Sequence, residues 1–340
     1  MAMQIGLDSL IDEELAAYVR ESREFNAVSD AHDGGRAPQD PSTPEGLRAA
    51  RDALPVRESP PGPPAVERVV EAAGRTVPVR VLTPESRTAQ GVYLEIHGGG
   101  FYLGSAARGD GRNRRLADAL GVAVVSVDYR LAPEHPWPAA PDDCEAAALW
   151  LLDHAGSLFG TTRLAIGGAS AGATLAMTTL LRLRDRGSAD RFAGAALHFG
   201  TYDLSGQTPA GRRIADEFFI RAYAGHVADR TNPDISPVFG DLRGLPPALL
   251  VVGSLDMVLE DNLVMAARLS AAGCEVDVRV YPESPHGFTS SPTAMASAAV
   301  SDVESWLGGR FFDVGVGHSG QRRTDQRSQN PAPAGDGSVP

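Results

Sequence analysis

Leu164-Ala-Ile-Gly-Gly-Ala-Ser-Ala-Gly-Ala-Thr-Leu-Ala-Met177 is the stretch that decides the fold. Its pattern predicts a short buried strand from Leu164, a tight turn around Ser170 and a helix that runs towards Arg186. A G-x-S-x-G nucleophile elbow requires this strand–turn–helix context, and Gly168 and Gly172 are small enough for so sharp a turn. The alternative to a nucleophile elbow is an ordinary close crossing of a strand and a helix, where small residues are also common. As nucleophile, Ser170 would stand at the helix N-terminus, where the dipole favours developing negative charge.

Strand and helix patterns alternate on both sides of this stretch. An opening hairpin is predicted at 66–71 and 77–82, and apolar runs predict further strands at 92–96, 122–127, 193–198, 248–252 and 275–281. Helices are predicted between them, near 112–120, 141–154, 212–223, 260–272 and 293–307. This order predicts an α/β fold with a mostly parallel central sheet and helices on both faces. The loops that follow the strands should then lie along one edge of the sheet.

The two ends of the chain differ from this core. Residues 1–64 contain a predicted amphipathic helix from Leu7 to Phe25 and a short helix from Glu45 to Leu54. We interpret them as an N-terminal helical cap, with a frayed extension as the alternative. Residues 65–312 form the predicted catalytic domain. Residues 313–340 contain almost no apolar side chains and are predicted to be disordered.

Charge and composition exclude several classes of function. The net charge of −12 argues against a nucleic-acid or anionic-membrane surface. No apolar run approaches the roughly 18 residues that span a bilayer, and no secretory signal precedes the first helix, so a cytoplasmic location is expected. All 31 basic residues are arginines, which excludes any chemistry that needs a lysine amine. Cys144 and Cys274 match no metal spacing, so we predict neither a metal nor a cofactor and expect no disulfide.

A serine hydroxyl needs a base and a group that orients the base. His286 lies in the loop that follows the strand ending at Tyr281, at the same sheet edge as the elbow. Asp256 lies in the loop after the strand at 248–252 and could orient His286, although a helix N-cap is its alternative role and Asp203 is the competing acid. The chain order Ser170, Asp256, His286 is the one expected of an α/β-hydrolase.

Three consecutive glycines follow the strand at 92–96, in the sequence His97-Gly-Gly-Gly-Phe101. Glycines let backbone N–H groups approach a ligand closely. We predict that Gly99, Gly100 and Ala171 donate to an oxyanion. A flexible turn or a phosphate-binding loop is the alternative, but the pattern is not G-x-G-x-x-G. His97 is interpreted as a residue that shapes the loop with Gly98.

Five motifs, in this order, resemble the hormone-sensitive-lipase-like branch of the α/β-hydrolases. They are His97-Gly-Gly-Gly100, Asp128-Tyr-Arg-Leu-Ala-Pro-Glu-His-Pro-Trp-Pro-Ala-Ala140, Gly168-Ala-Ser-Ala-Gly172, Gly244-Leu-Pro-Pro-Ala248 leading to Asp256, and His286-Gly-Phe288. The resemblance covers roughly residues 65 to 310. It implies esterases and lipases of short- to medium-chain acyl esters, with the nucleophile, acid and base at Ser170, Asp256 and His286. The chain departs from the family at Ala169, where Asp or Thr is usual, and at Met257, where proline is common.

We therefore expect a carboxylic ester hydrolase that acts on a small-molecule ester through an acyl-enzyme. Phe101, Tyr102 and Phe288 flank the motifs and are predicted to line the substrate pocket, with core packing as the alternative. A lactone, an amide or an acyl transfer in a biosynthetic pathway would use the same side chains. The alternative from a different class of function is a hydrolase-fold protein that binds a ligand without turnover. A homodimer is possible.

Overall fold

An eight-stranded sheet organises the part of the chain that the structure describes. This computed structural model describes residues 6–33, 40–54, 62–85 and 88–312, so the tail predicted to be disordered, 313–340, lies outside it. The strands are β1 (Val66–Ala72), β2 (Arg75–Leu82), β3 (Val92–Ile96), β4 (Ala123–Val127), β5 (Leu164–Ala169), β6 (Phe192–His198), β7 (Ala248–Gly253) and β8 (Val276–Tyr281). Their order across the sheet is β1-β2-β4-β3-β5-β6-β7-β8. Strands β3 to β8 are parallel, and β2 is antiparallel to β1 and β4.

Helices cover both faces of the sheet. The α-helices of the described ranges are α1 (Val19–Asp33), α2 (Pro44–Asp52), α3 (Asp110–Leu120), α4 (Ala139–Phe159), α5 (Ala171–Asp185), α6 (Pro209–Arg212), α7 (Phe218–Ala224), α8 (Leu259–Ala271) and α9 (Ala294–Phe312). Leu94 and Ile96 of β3 pack into the core with α4, α5 and α8, while Tyr93 packs into the core with α3 and α9. This alternation follows from the two-residue period of a strand. The predicted α/β architecture, a mostly parallel sheet with helices on both faces, is confirmed.

Two of the predicted helices are divided into separate elements in the structure. The helix predicted from Leu7 to Phe25 consists of 3₁₀ turns at Leu7–Leu10 and Glu13–Tyr18, followed by α1. Asp12 accepts the N–H of Glu14 through its side chain, and this cap starts a new turn inside the predicted helix. The helix predicted at 212–223 is the short α6, capped by the Thr208 side chain, and then α7.

The N-terminal segment packs against the loop that carries His286. Arg23 forms an ion pair with Glu283 at 2.7 Å, and the Asn26 side chain donates to the carbonyl oxygen of Glu283. Leu15 is buried in the core cluster of α9. No helix among the described residues combines the length and the apolar character that crossing a membrane needs.

Candidate active site

Ser170 lies at the turn between β5 and α5, where the sequence predicts a nucleophile elbow. Its φ of 54° and ψ of −122° are strained for a residue with a side chain. The Ser170 N–H donates to the carbonyl oxygen of His198 at 2.8 Å, which anchors the turn to β6. A Cβ on Gly168 or Gly172 would collide with the carbonyl oxygen of Ile96. The glycines therefore let the turn pass directly against the end of β3.

Gly172→Ala is expected to lower the free energy of unfolding by about 1–3 kcal/mol, because the new methyl group overlaps the backbone of β3. Gly111→Ala in α3 is the matched control, since nothing lies within 4 Å of its added Cβ. Gly111→Ala is expected to raise the free energy of unfolding by about 0.5–1 kcal/mol. Urea denaturation measures both changes. Equal effects of the two substitutions would contradict the close approach at Gly172.

The structure brings His286 between Ser170 and Asp256. His286 Nε2 lies 2.9 Å from Ser170 Oγ, and Nδ1 lies 3.0 Å from each carboxylate oxygen of Asp256. The Asp256 side chain is fully buried, and its Oδ1 also accepts the N–H of Val258 at 3.0 Å. The Phe199 ring packs edge-to-face with the imidazole, at 5.0 Å between ring centroids. An imidazole held in this way can take a proton from Ser170 while the buried carboxylate stabilises the resulting cation.

Phe288 does not line the cavity at Ser170, which corrects the prediction for this residue. It is 3% exposed, and its ring lies 5.2 Å from that of Tyr281 in the core. Gly287, between it and His286, has a φ of 78°, in the left-handed region that favours glycine. His286 reaches the cavity, whereas Phe288 packs in the core beside Tyr281 and Phe199.

The other candidate acid, Asp203, is committed elsewhere. Its carboxylate accepts hydrogen bonds from the N–H and hydroxyl of Ser205 and of Thr208. These bonds outweigh the opposing effect of burial, so the pKa of Asp203 lies below its usual value. Asp203 shapes its own turn, and no hydrogen bond of the described residues links it to His286.

The glycine loop after β3 lies beside the elbow. His97 Nδ1 lies 2.8 Å from the carbonyl oxygen of Gly98, and its ring stacks on Tyr129 at 4.1 Å. Burial lowers the pKa of His97, since it disfavours the charged form of the ring. In the described part of the chain, no backbone hydrogen bond uses the N–H of Gly99, Gly100 or Ala171. Their donation to an oxyanion stays a prediction.

A cavity of about 470 Å³ opens over Ser170 and His286. This volume falls in the range of small-molecule sites, roughly 300–1,000 Å³. The predicted residues His97, Gly98, Gly99, Gly100, Ala171, Phe101 and Tyr102 are among those that line it. The sequence did not single out the following lining residues: Arg108, Arg112, Phe199, Thr201, Phe219 and Val258. No three His, Cys, Asp or Glu side chains in the described ranges are grouped so as to hold a metal ion.

Arg51 of α2 connects the N-terminal segment to the rim of this cavity. Its guanidinium donates to the carbonyl oxygens of Tyr102 and Ala132, each at 3.0 Å, and forms a two-bond ion pair with Glu134. The ion pair lowers the pKa of the Glu134 carboxyl. In the described ranges, no residue before His97 lines the cavity. The cap over the site stays a prediction, whereas the attachment beside it is observed.

Arg51→Ala is expected to lower kcat/KM for p-nitrophenyl butyrate by about threefold to tenfold. The substitution removes the hydrogen bonds to Tyr102 and Ala132, and this frees the glycine loop beside Ser170. Hydrogen bonds of a charged donor contribute about 1.5–3 kcal/mol to stability when they are buried. They contribute less here, because the site is partly exposed to solvent. Arg48→Ala, on the exposed face of the same helix, is the control. Identical kcat/KM values for the two variants would show that α2 does not support the loop.

Comparisons with known proteins agree with this geometry. The model of a family described as alpha/beta hydrolase fold matches residues 93–290. Esterase LipI of Mycobacterium tuberculosis is 36% identical over 267 residues, which are 72% of this chain and 82% of the relative. Carboxylic ester hydrolase LipN of the same organism is 33% identical over 228 residues, 62% of this chain and 61% of LipN. The structure of the hormone-sensitive-lipase homologue EstE7 from a metagenome library has a TM-score of 0.70 and 29% identity, and the match covers 85% of this chain and 98% of that one.

The parallel sheet, the elbow and the hydrogen-bonded imidazole together define a hydrolase of the α/β class. Since the family model matches more than half of the residues, the chain belongs to the alpha/beta hydrolase fold family, in its hormone-sensitive-lipase-like branch. It is an enzyme of the carboxylesterase and lipase type.

Proposed function

We propose that this enzyme hydrolyses short- to medium-chain acyl esters with Ser170 as nucleophile, His286 as base and Asp256 as the orienting acid. The observation that carries the proposal is the position of the His286 imidazole, within 3.0 Å of both the Ser170 hydroxyl and the Asp256 carboxylate. A serine hydroxyl becomes nucleophilic when an adjacent base takes its proton. A buried carboxylate on the far nitrogen keeps the imidazole in the tautomer that can do so.

In the first half of the reaction, Ser170 Oγ attacks the ester carbonyl carbon while its proton passes to His286 Nε2. The carbonyl oxygen gains negative charge, and the N–H groups of Gly99, Gly100 and Ala171 are the donors proposed to stabilise it. The alcohol leaves with the proton from His286, and the acyl group remains on Ser170. In the second half, water gives a proton to His286, attacks the acyl carbon and releases the acid, and Ser170 regains its proton.

The cavity supports an acyl or alcohol group of modest size. Tyr102 and Phe219 line it, and Phe219 packs beside Gly100. Phe101 adds little to this surface, because its side chain is buried and stacks on Tyr223. Such apolar surface favours the hydrocarbon part of a substrate. The relatives named above are esterases by name, which agrees with an ester as the substrate.

Initial rates on a panel of substrates test this proposal. The panel contains p-nitrophenyl acetate, butyrate and octanoate, a lactone and an anilide, each with the wild type and with Ser170→Ala. We expect the highest kcat/KM for the acetate or the butyrate, and for the variant only a residual rate about 10⁶-fold lower. A lactone or an anilide that is cleaved faster than all three esters would overturn the assignment to esters. Equal binding by both proteins without turnover would favour a ligand-binding function.

A further inference from the structure

Glu283 has a backbone conformation that normally belongs to glycine. Its φ of 49° lies in the left-handed region, where the Cβ of an L-residue is crowded. The residue lies between β8, which ends at Tyr281, and His286, which contacts Ser170. A residue with a side chain keeps such a conformation only where its surroundings hold it there. The loop that carries His286 therefore depends on the contacts of Glu283.

Contacts from two other segments of the chain hold Glu283. Its N–H donates to Ser254 Oγ at 3.0 Å, and Ser254 lies in the loop after β7, two residues before Asp256. From α1, the Asn26 side chain donates to the Glu283 carbonyl oxygen at 2.8 Å. Arg23, also of α1, forms an ion pair with the Glu283 carboxylate. Both backbone polar groups of one strained residue are thus bound, one by the loop of the acid and one by the N-terminal segment.

The two contacts from α1 differ in strength. The Arg23 side chain is 67% exposed, and exposed ion pairs contribute little to a conformation. The hydrogen bond of Asn26 is partly buried, and Ser22 and Phe25 lie beside it, facing the same loop. A gap of only about 10 Å³ remains between this face of α1 and the loop. Asn26 is therefore the residue of α1 that fixes the backbone of Glu283.

The connection from Glu283 to His286 is short and leaves little freedom. Only Ser284 and Pro285 separate the two residues. Ser284 is 1% exposed, and its carbonyl oxygen accepts the N–H of Leu255 at 3.1 Å. The ring of Pro285 restricts its φ. A change in the backbone conformation of Glu283 would therefore displace the imidazole, since the residues between them cannot absorb it.

We propose that Asn26 is a positioning residue: its hydrogen bond holds Glu283 in the left-handed conformation that places His286 beside the reacting serine. The inference rests on the proposed function, since it requires His286 to act as the base. The N-terminal segment supports the chemical step from outside the cavity, because none of its described residues lines the cavity. A displacement of a catalytic group by a fraction of an ångström lowers the rate of the reaction and leaves substrate binding in place.

Asn26→Ala and Asn26→Asp test this hydrogen bond in the full chain. Aspartate keeps the shape of the asparagine side chain and removes its N–H donors, so it serves the same comparison if the alanine variant does not fold. Both variants are expected to lower kcat for p-nitrophenyl butyrate by about threefold to tenfold, the factor by which one hydrogen bond shifts an equilibrium. The ratio kcat/KM should fall by the same factor, because KM is unchanged. Glu24→Gln, on the exposed face of the same helix, is the control and should leave both constants unchanged.

The residue at position 283 distinguishes positioning from a general loss of stability. Glycine adopts a positive φ readily, whereas alanine keeps the crowded Cβ, and both remove the ion pair with Arg23. In a Glu283→Gly background, Asn26→Ala should therefore lower kcat by less than about twofold. In a Glu283→Ala background, it should lower kcat by its full factor. Rates are measured well below the unfolding temperature of every variant, so that unfolded protein does not contribute to the loss.

Contrary results would separate this inference from the proposed function. Wild-type kcat in Asn26→Asp, or a rise in KM alone, would overturn the positioning role and leave the esterase intact. Equal losses of kcat in the glycine and alanine backgrounds would overturn the role of the left-handed conformation. If His286→Ala hydrolyses the ester as fast as the wild type, the proposed function fails and this inference fails with it.

Discussion

Ser170→Ala is expected to lower kcat for p-nitrophenyl butyrate by about 10⁶-fold. The alanine removes the Oγ that lies 2.9 Å from His286 Nε2, so no acyl-enzyme can form. His286→Ala is expected to cost about as much, because a serine without its base reacts slowly. Residual activity should reflect only binding and the oxyanion donors. Rates at high enzyme concentration, with thermal unfolding as the folding control, measure these losses.

The double variant Ser170→Ala with His286→Ala distinguishes one catalytic unit from two independent contributions. If the two residues act together, the double variant should be no slower than either single variant. Losses that multiply would instead show that each residue accelerates the reaction alone. That outcome would contradict the hydrogen-bonded arrangement as the source of catalysis.

Asp256→Asn is expected to lower kcat by about 10⁴-fold. An amide in this buried position can donate to the imidazole, which favours the tautomer whose Nε2 carries a proton and cannot accept one from Ser170. KM should change little, because the Asp256 side chain is fully buried beneath His286.

Asp203→Asn is the matched control for Asp256→Asn. Both carboxylates are buried at strand ends, but Asp203 accepts hydrogen bonds only within its own turn. Its replacement should lower the free energy of unfolding, since hydrogen bonds of this kind contribute about 1–3 kcal/mol to stability. It should leave kcat within about tenfold of the wild type. A loss of kcat at Asp203 as large as that at Asp256 would make Asp203 the functional acid.

The positions of Ser170, Asp256 and His286 could be predicted because each follows a strand of one parallel sheet. Strands β5, β7 and β8 have apolar runs that mark their ends in the sequence, and parallel strands end at the same edge. The distances that join the three side chains are the structural counterpart of that prediction. The glycine loop could be placed for the same reason, since it follows β3.

The walls of the cavity could not be predicted in this way. Phe288 is an aromatic residue next to a motif, as a pocket residue can be, but its ring is buried in the core beside Tyr281. Phe219 lies on a short helix far along the chain and reaches Gly100 only through tertiary packing. Arg112 of α3 lines the cavity while its guanidinium donates to the buried Glu95 of β3, a contact between two elements that no motif marks. Sequence motifs indicate where strands end and where turns lie. The contacts of the cavity walls depend instead on how helices and strands that are far apart in the sequence pack together.

Labelling with a fluorophosphonate tests the central claim most directly. Ser170 Oγ should attack phosphorus and displace fluoride, and mass spectrometry of the digested protein should locate one adduct per chain at Ser170. Labelling should be absent in Ser170→Ala and strongly slowed in His286→Ala. An active enzyme that takes up no label, or that carries it on a different serine, would contradict the assignment of Ser170 as the nucleophile.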